Sequence, residues 1–269
     1  MAGDGTYGRI RSSMIIRDAQ IKILEAATID SFVAELCEHC REYAPDLLDS
    51  LNDEQLEAAV RDGIAAAEKH GFDKRGPVRF YVDMMIAFGS GFDTDPQYPW
   101  VAEILANPDG MTQMELSDAL HNKATEVFAI VFGPDSAHSN EALEKMLGKV
   151  KEGISFKREG FRQEMLALFK EIHPMKYDLV GEEALKTLIN SAIARGDERY
   201  GFKAPRSMAL MTMMMFALGH KFDQDPFHAW VAHSLKDDTG ENPDKTAEKL
   251  EKRVLIWFDA VLKKAKEAK

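Results

Sequence analysis

The sequence FGSGFDTDP at residues 88–96 decides the fold, because it returns as LGHKFDQDP at residues 218–226. In each copy the proline is followed by Trp-Val-Ala, at residues 100–102 and 230–232. The two copies are 130 residues apart throughout this stretch. An internal repeat of this length predicts two copies of one structural unit rather than a single irregular domain.

Apolar residues at helical spacing precede the motif in both copies. In the first copy they predict a long helix over residues 18–43 that ends before Pro45, an acidic turn, and a second helix over residues 53–69. A third helix, apolar on nearly all sides, is predicted over residues 78–88 and again over residues 208–218. We expect no strands. The predicted class is therefore all-α, with two tandem copies of a roughly five-helix unit.

The repeat also predicts the domain boundaries. Residues 1–13 are rich in Gly, Ser and Arg and read as a flexible tail. The first helical unit is expected over residues 14–135, a linker or helix over residues 136–153, and the second unit over residues 154–269.

The acidic motif has a simple mechanical interpretation. Aspartate favours the N-cap of a helix, and proline favours its first position. Asp95 with Pro96, and Asp225 with Pro226, are therefore predicted to start a fourth helix in each unit. That helix carries the tryptophan.

Composition limits the classes of partner and compartment. The net charge of −11 argues against nucleic acid as a partner. Residues 1–135 carry a charge of −13 and residues 136–269 a charge of +2, so the two units should present different electrostatic surfaces.

No run of residues is apolar enough for a membrane span or a signal peptide. Two cysteines cannot form a disulfide framework across the fold, which fits a reducing compartment. The expected location is the cytoplasm.

Metal and thiol chemistry find little support in the sequence. Cys37 and Cys40 have the spacing of metal and redox motifs, but the second copy has Leu166 and Phe169 at these positions, which favours small buried side chains. Asp93 and Asp95 lack the further oxygen ligands of a calcium loop. We expect no metal ion and no cofactor.

Three further features are open to a functional interpretation. Asp83 is a carboxylate within an apolar helix, and it requires surface exposure or a partner such as Arg79. The methionines of residues 208–215 suit either core packing or an adaptable binding groove. Three histidines occur only in the second copy: His220, His228 and His233. The equivalent residues of the first copy do not form a set of metal ligands, which argues against a metal site.

The first unit resembles a group of small bacterial helical proteins. The resemblance rests on MIIRDAQ at residues 14–20, YVDMMIAFG at residues 81–89, and the Phe-Asp-x-Asp-Pro motif with its tryptophan. It implies genes located beside spike-tip proteins and toxin effectors of type VI secretion systems. The duplication departs from that group, whose members carry one unit.

These observations favour a non-enzymatic accessory factor that binds a secreted bacterial effector, as an adaptor, chaperone or immunity partner. The protein partner would be a toxin or a spike component. Alternatives are a metal-assisted hydrolase that uses the carboxylates of the first unit, or a purely structural helical module. The residues predicted to contact a partner are Asp83, Asp93, Asp95, Trp100, Asp223, Asp225 and Trp230.

Overall fold

The computed structural model describes residues 18–107, 109–154, 156–236 and 242–267, with side chains from residue 27 onward. The predicted tail over residues 1–13 lies outside this part of the chain. The described residues form thirteen α-helices and no strand, which confirms the all-α prediction. The helices are α1 (Asp18–Tyr43), α2 (Pro45–Leu48), α3 (Asp53–Lys69), α4 (Arg75–Phe88), α5 (Pro99–Leu105), α6 (Gln113–Val131), α7 (Ala137–Glu152), α8 (Phe161–Ile172), α9 (Pro174–Val180), α10 (Glu182–Tyr200), α11 (Pro205–Leu218), α12 (Ala229–Leu235) and α13 (Pro243–Glu267).

We call residues 18–131 the first half and residues 161–267 the second half. Helices α1 to α6 make up the first half, and α8 to α13 follow in the same order of long and short elements in the second. Each half contains six α-helices among the described residues, one more than the roughly five predicted. Helix α7 lies between the halves in sequence and occupies most of the predicted linker.

The extra helices are the short ones that follow each proline. The acidic turns predicted after Pro45 and Pro174 are instead α2 and α9, each of which has the proline in its first turn. Proline suits that position because its missing N–H would have no acceptor there. In α9 the side chain of His173 also caps the helix, since its Nδ1 accepts a hydrogen bond from Lys176 N at 3.1 Å.

Several helix ends follow local capping rules. Asn52 and Gln55 form a capping box at the start of α3, so the cap is Asn52 and not Asp53. Thr112 and Glu115 form the same arrangement at the start of α6. Gly201 ends α10 with a φ of 67°, a left-handed conformation that glycine adopts without strain.

The fourth helix does not begin where the sequence predicted. Asp95 and Asp225 each follow a short 3-10 turn, and α5 and α12 begin later, at Pro99 and Ala229. Each aspartate accepts a hydrogen bond at Oδ1 from the backbone N–H two residues on, in both cases at 2.9 Å. In the second half the prediction is partly confirmed, because Asp225 is the N-cap of a 3-10 turn over Pro226–His228 that leads directly into α12. Asp95 instead closes a turn and does not cap α5, whose N-cap is Tyr98.

The interior contains two hydrophobic cores. The core of the second half is built around α11, where every residue from Ser207 to Phe216 is buried. This burial confirms core packing as the role of the methionines, because Met208 to Met215 contribute to that cluster. Helix α7 joins the same core through Ala142, Met146 and Val150. The core of the first half includes one residue of the second half, the fully buried Phe227.

The halves contact each other in a reciprocal manner. Helix α9 of the second half packs against α6 of the first, where His173 Nε2 lies 2.9 Å from the carbonyl oxygen of Val131. Helix α2 of the first half contacts the end of α13, where Lys264 Nζ lies 2.8 Å from Asp46 Oδ1 and 3.0 Å from Asp49 Oδ2. Each half therefore supports the last helix of the other.

The backbones of the two halves approach each other closely at two glycines. Gly89 has a φ of 92° and Gly219 a φ of 97°, conformations that side chains other than glycine rarely adopt. A Cβ atom on Gly89 would lie 2.4 Å from the carbonyl oxygen of Leu218. The two chain segments can meet here only without side chains.

In the described part of the chain, no helix is both long and apolar enough to cross a membrane.

We expect Gly89→Ala to lower the free energy of unfolding by at least about 2 kcal/mol, because it combines an unfavourable φ with a clash against backbone. The matched control is Gly148→Ala in α7, where an added Cβ would meet nothing within 4 Å. Alanine favours a helix by about 1 kcal/mol over glycine, so the control should be neutral or stabilising. Urea denaturation of both variants tests this, and equal stabilities would contradict the close glycine contact.

Candidate functional site

The two copies of the acidic motif meet at the boundary between the halves. Asp95 Oδ2 accepts a hydrogen bond from the backbone N–H of His220 at 2.7 Å. Asp225 Oδ2 accepts the equivalent bond from the backbone N–H of Ser90, also at 2.7 Å. Each carboxylate therefore binds the loop that follows the buried helix of the other half. We call this pair of hydrogen bonds the reciprocal aspartate contact.

Burial makes the reciprocal aspartate contact strong. Asp95 is 3% exposed and Asp225 is 1% exposed. Gln97 adds a further bond to Asp95 Oδ2 at 3.2 Å, and its amide also donates to the carbonyl oxygen of Met215 at 3.1 Å. A buried carboxylate is stable only when its oxygens accept hydrogen bonds, and here both oxygens of each aspartate do.

The first aspartate of each motif anchors its own loop to a neighbouring helix. Asp93 Oδ2 lies 3.0 Å from His70 Nε2 and accepts a bond from the Tyr81 hydroxyl at 3.2 Å. Burial opposes its ionisation, but the hydrogen bond from His70, the positive charge of Lys221 and the bond from Tyr81 together lower the pKa of Asp93. His70 directly follows α3 and Tyr81 lies in α4, so Asp93 ties its own loop to both of these helices.

Asp223 does the same in the second half with different donors. Arg195 Nη1 lies 2.6 Å from Asp223 Oδ1, and the Tyr200 hydroxyl donates to Oδ2 at 2.7 Å. The carboxylate is 2% exposed. The position thus keeps its carboxylate while the surrounding donors change between the halves.

Asp83 finds its partner on another helix. Its Oδ1 lies 2.7 Å from Nε2 of His39 in α1, so its hydrogen-bond partner is His39, while Arg79, the partner proposed from sequence, contributes through its charge. Burial raises the pKa of Asp83, and the hydrogen bond and charge of His39 oppose that rise. The His39 ring also stacks on Tyr43 with the centroids 5.9 Å apart. Asp83 lies away from the reciprocal aspartate contact and does not share a site with Asp95.

The two tryptophans are half-buried and pack on aromatic side chains. Trp100 lies edge-on to Phe88 and Tyr98, with ring centroids 6.0 and 6.4 Å apart. Trp230 stacks on Trp257 at 6.0 Å. Both helices therefore use their tryptophan to cover a core.

The predicted partner surface needs an exposed loop. That condition is not met for Asp95, Asp223 and Asp225, which are buried and bonded within the chain. Asp83, Asp93 and the tryptophans are half-buried and also have partners within the chain. A direct role of these residues in partner binding stays a prediction, and the observed contacts favour a structural role.

The two cysteines behave as small apolar side chains. Cys40 is fully buried, and burial, with the nearby charge of Asp83, raises the pKa of its thiol to about 12. Cys37 is half-buried and its pKa is also raised, chiefly by burial. A thiol with a raised pKa is a poor nucleophile and a poor metal ligand at neutral pH. In the described residues, no group of three or more His, Cys, Asp and Glu is arranged to hold a metal ion.

A cavity of about 360 Å³ adjoins the reciprocal aspartate contact. It lies between the halves beneath α7, and most of the residues that line it are apolar. The polar side chains along it include His173, Lys176 and His228, all of the second half and all buried. We call it the inter-half cavity.

Lys176 is the most unusual residue of the inter-half cavity. It is 4% exposed, and its Nζ donates a hydrogen bond to the carbonyl oxygen of Phe216 at 2.5 Å. The ammonium also lies 4.6 Å from the centre of the Phe216 ring and 5.7 Å from that of Tyr98. Among the described residues no carboxylate forms a hydrogen bond or ion pair with it. Burial therefore lowers the pKa of Lys176 to about 8, although the charge of Asp95 opposes the shift.

Sequence reasoning missed this cavity, although one signal pointed to it. At an offset of 129 residues Lys176 corresponds to Leu47 and His173 to Ala44. A lysine in place of a leucine that faces the core is a local conflict of the kind found at functional sites. Positions at which the two copies differ in chemistry were therefore as informative about the site as the repeated positions were about the fold.

No protein-family model, curated protein or solved structure matches this chain significantly.

We expect Asp95→Ala to lower the free energy of unfolding by about 2–4 kcal/mol, because it leaves the buried N–H of His220 without an acceptor. Asp118→Ala, which removes an exposed carboxylate from α6, should change stability by less than about 0.5 kcal/mol. Chemical denaturation of the two variants measures the difference. A small effect of Asp95→Ala would show that the reciprocal aspartate contact is dispensable.

The pH dependence of stability should report the buried Lys176. Its folded pKa of about 8 lies below the ordinary value of 10.5, so between these values the unfolded chain binds a proton that the folded chain does not. Stability should therefore rise with pH from about 8 toward 10, by up to about 1.4 kcal/mol per pH unit from this group. Lys176→Met should abolish that component. Parallel slopes for the variant and the wild type over this range would contradict it.

Proposed function

We propose that the chain is a non-enzymatic binding protein, built from two copies of one helical unit, that acts as an accessory factor for a secreted bacterial effector. The repeated motif, the recurring order of helices and the reciprocal contacts between the halves support the duplicated architecture. The resemblance of the first unit to proteins encoded beside type VI secretion spike-tip and effector genes supports the biological role. Adaptor, chaperone and immunity partner are all compatible with this role.

The observation that carries the proposal is unpaired negative charge on the first half. Five carboxylates of α1 and α3 are exposed and form no ion pair among the described residues: Glu38, Glu42, Glu54, Asp62 and Glu68. The first 135 residues carry a charge of −13 in total. A surface of one sign speeds the approach of a partner of opposite sign and favours it over others. We therefore propose a basic surface on the effector or spike component as the contact.

The contacts of the other acidic residues point away from a hydrolase. A metal-assisted hydrolase would need Asp83, Asp93 and Asp95 to share an accessible site. Asp83 instead binds His39, Asp93 binds His70 and Tyr81, and both oxygens of Asp95 accept backbone hydrogen bonds. Their arrangement favours structural roles for all three.

The test is affinity capture with two variants of equal charge. The first variant changes the five exposed carboxylates of α1 and α3 to lysine. The control variant changes to lysine five exposed carboxylates that form no ion pair among the described residues: Asp178, Glu198, Asp244 and Glu248 of the second half, and Glu159 just before it. Both changes alter the net charge by the same amount.

We expect the wild type and the control variant to retain a spike or effector protein of the same bacterium, and the first variant to lose at least nine-tenths of it. Quantitative mass spectrometry of the captured proteins measures this, with circular dichroism to show that both variants fold. Equal retention by both variants, or no secretion component with the wild type, would contradict the proposal.

A further inference from the structure

The inter-half cavity is lined by equivalent positions of the two halves that differ in chemistry. Ala44 and His173 are one such pair, Leu47 and Lys176 a second, and Tyr98 and His228 a third. In every pair the first half contributes the apolar or aromatic member. The second half contributes the imidazole or the amine. We call His173, Lys176 and His228 the polar wall of the cavity, and we call the apolar and aromatic residues that line the rest of it, from both halves and α7, the apolar wall.

The polar wall offers two groups to a ligand. Lys176 uses one N–H for the carbonyl oxygen of Phe216, and no other hydrogen bond to its ammonium is formed within the described residues. His228 is 5% exposed, and its buried Nδ1 has no hydrogen-bond partner; the nearest carboxylate oxygen, on Asp225, is 3.9 Å away. His173 differs, because both of its ring nitrogens already have backbone partners.

A buried cation without a bonded anion is unfavourable. The transfer of a charged amine from water costs several kcal/mol unless an opposite charge or hydrogen bonds compensate it. The carbonyl oxygen of Phe216 and two aromatic faces compensate only in part. A carboxylate in the cavity would supply the missing charge and could also accept a hydrogen bond from a ring N–H of His228.

The apolar wall determines the chemistry of the part of the ligand that does not contact Lys176 and His228. It includes Leu47 of α2, Ala142, Leu143 and Met146 of α7, and the aromatic rings of Tyr98 and Trp257. The cavity volume of about 360 Å³ falls within the range of about 300–1,000 Å³ typical of small-molecule sites. A hydrocarbon chain or ring would fill this space without leaving polar groups unpaired.

We propose that the inter-half cavity binds a small amphiphilic carboxylate, whose carboxylate group contacts Lys176 and His228 and whose hydrocarbon part packs against the apolar wall. The binding is noncovalent. The proposal is independent of the acidic surface on the first half, because the cavity lies at the boundary between the halves.

The test uses decanoate and decanol as probes, which share a ten-carbon chain and differ in charge. Binding is measured by isothermal titration calorimetry and by tryptophan fluorescence, since Trp257 lines the cavity. We expect decanoate to bind the wild type at least tenfold more tightly than decanol. Lys176→Met, which keeps an unbranched apolar side chain, should weaken decanoate binding at least tenfold and leave decanol binding unchanged. Lys252→Met, at an exposed position of α13, should behave like the wild type.

A second variant distinguishes binding in the cavity from binding elsewhere on the surface. Ala142→Phe adds a ring at a buried position of α7 that lines the cavity, and it should abolish binding of both probes. Thermal unfolding without ligand checks that each variant is folded. The proposal is overturned by any of three results: no binding of decanoate to the wild type, equal affinity for decanoate and decanol, or undiminished binding of decanoate to Ala142→Phe.

Discussion

The rest of the structure depends on two buried carboxylates that each bind a backbone N–H across the boundary between the halves. Asp95 reaches the N–H of His220, and Asp225 reaches that of Ser90. An aspartate can reach so far only when the two loops nearly touch, which requires glycine at positions 89 and 219. The glycines in turn end the two most buried helices, α4 and α11. The reciprocal aspartate contact therefore fixes the position of one core relative to the other.

The remaining carboxylates of the motif show how such a scaffold tolerates change. Asp93 and Asp223 occupy equivalent positions, yet one is held by a histidine and a tyrosine and the other by an arginine and a tyrosine. The tyrosines come from different places, since Tyr81 lies in α4 and Tyr200 ends α10. The fold requires at this position a carboxylate that accepts hydrogen bonds from two neighbouring side chains. The identity of the donors is free to vary as long as the carboxylate remains compensated.

The sequence was informative where a local rule decides the structure, and it was less informative where two distant segments meet. Helical spacing predicted the positions of α1 and α3, because these helices follow their own apolar pattern. Asp95 looked like a helix cap because that is the commonest local use of Asp-Pro. Its actual partner, His220, lies 125 residues away, and nothing in the local sequence encodes that distance. The inter-half cavity was hidden for the same reason. Lys176 becomes unusual only when the other half is placed beside it.

Both copies of the motif belong to one polypeptide, and this linkage has consequences for symmetry and for assembly. Two identical subunits joined by the same contacts would come apart on dilution and would carry every substitution twice. In the linked chain the contact is intramolecular, so its formation is independent of protein concentration. Each copy is also free to diverge alone, as Leu47 and Lys176 show. A lysine at both positions would place two like charges in one small space, whereas the present chain holds a single ammonium there. A dimer of two identical subunits could not hold a single buried ammonium at its boundary in this way.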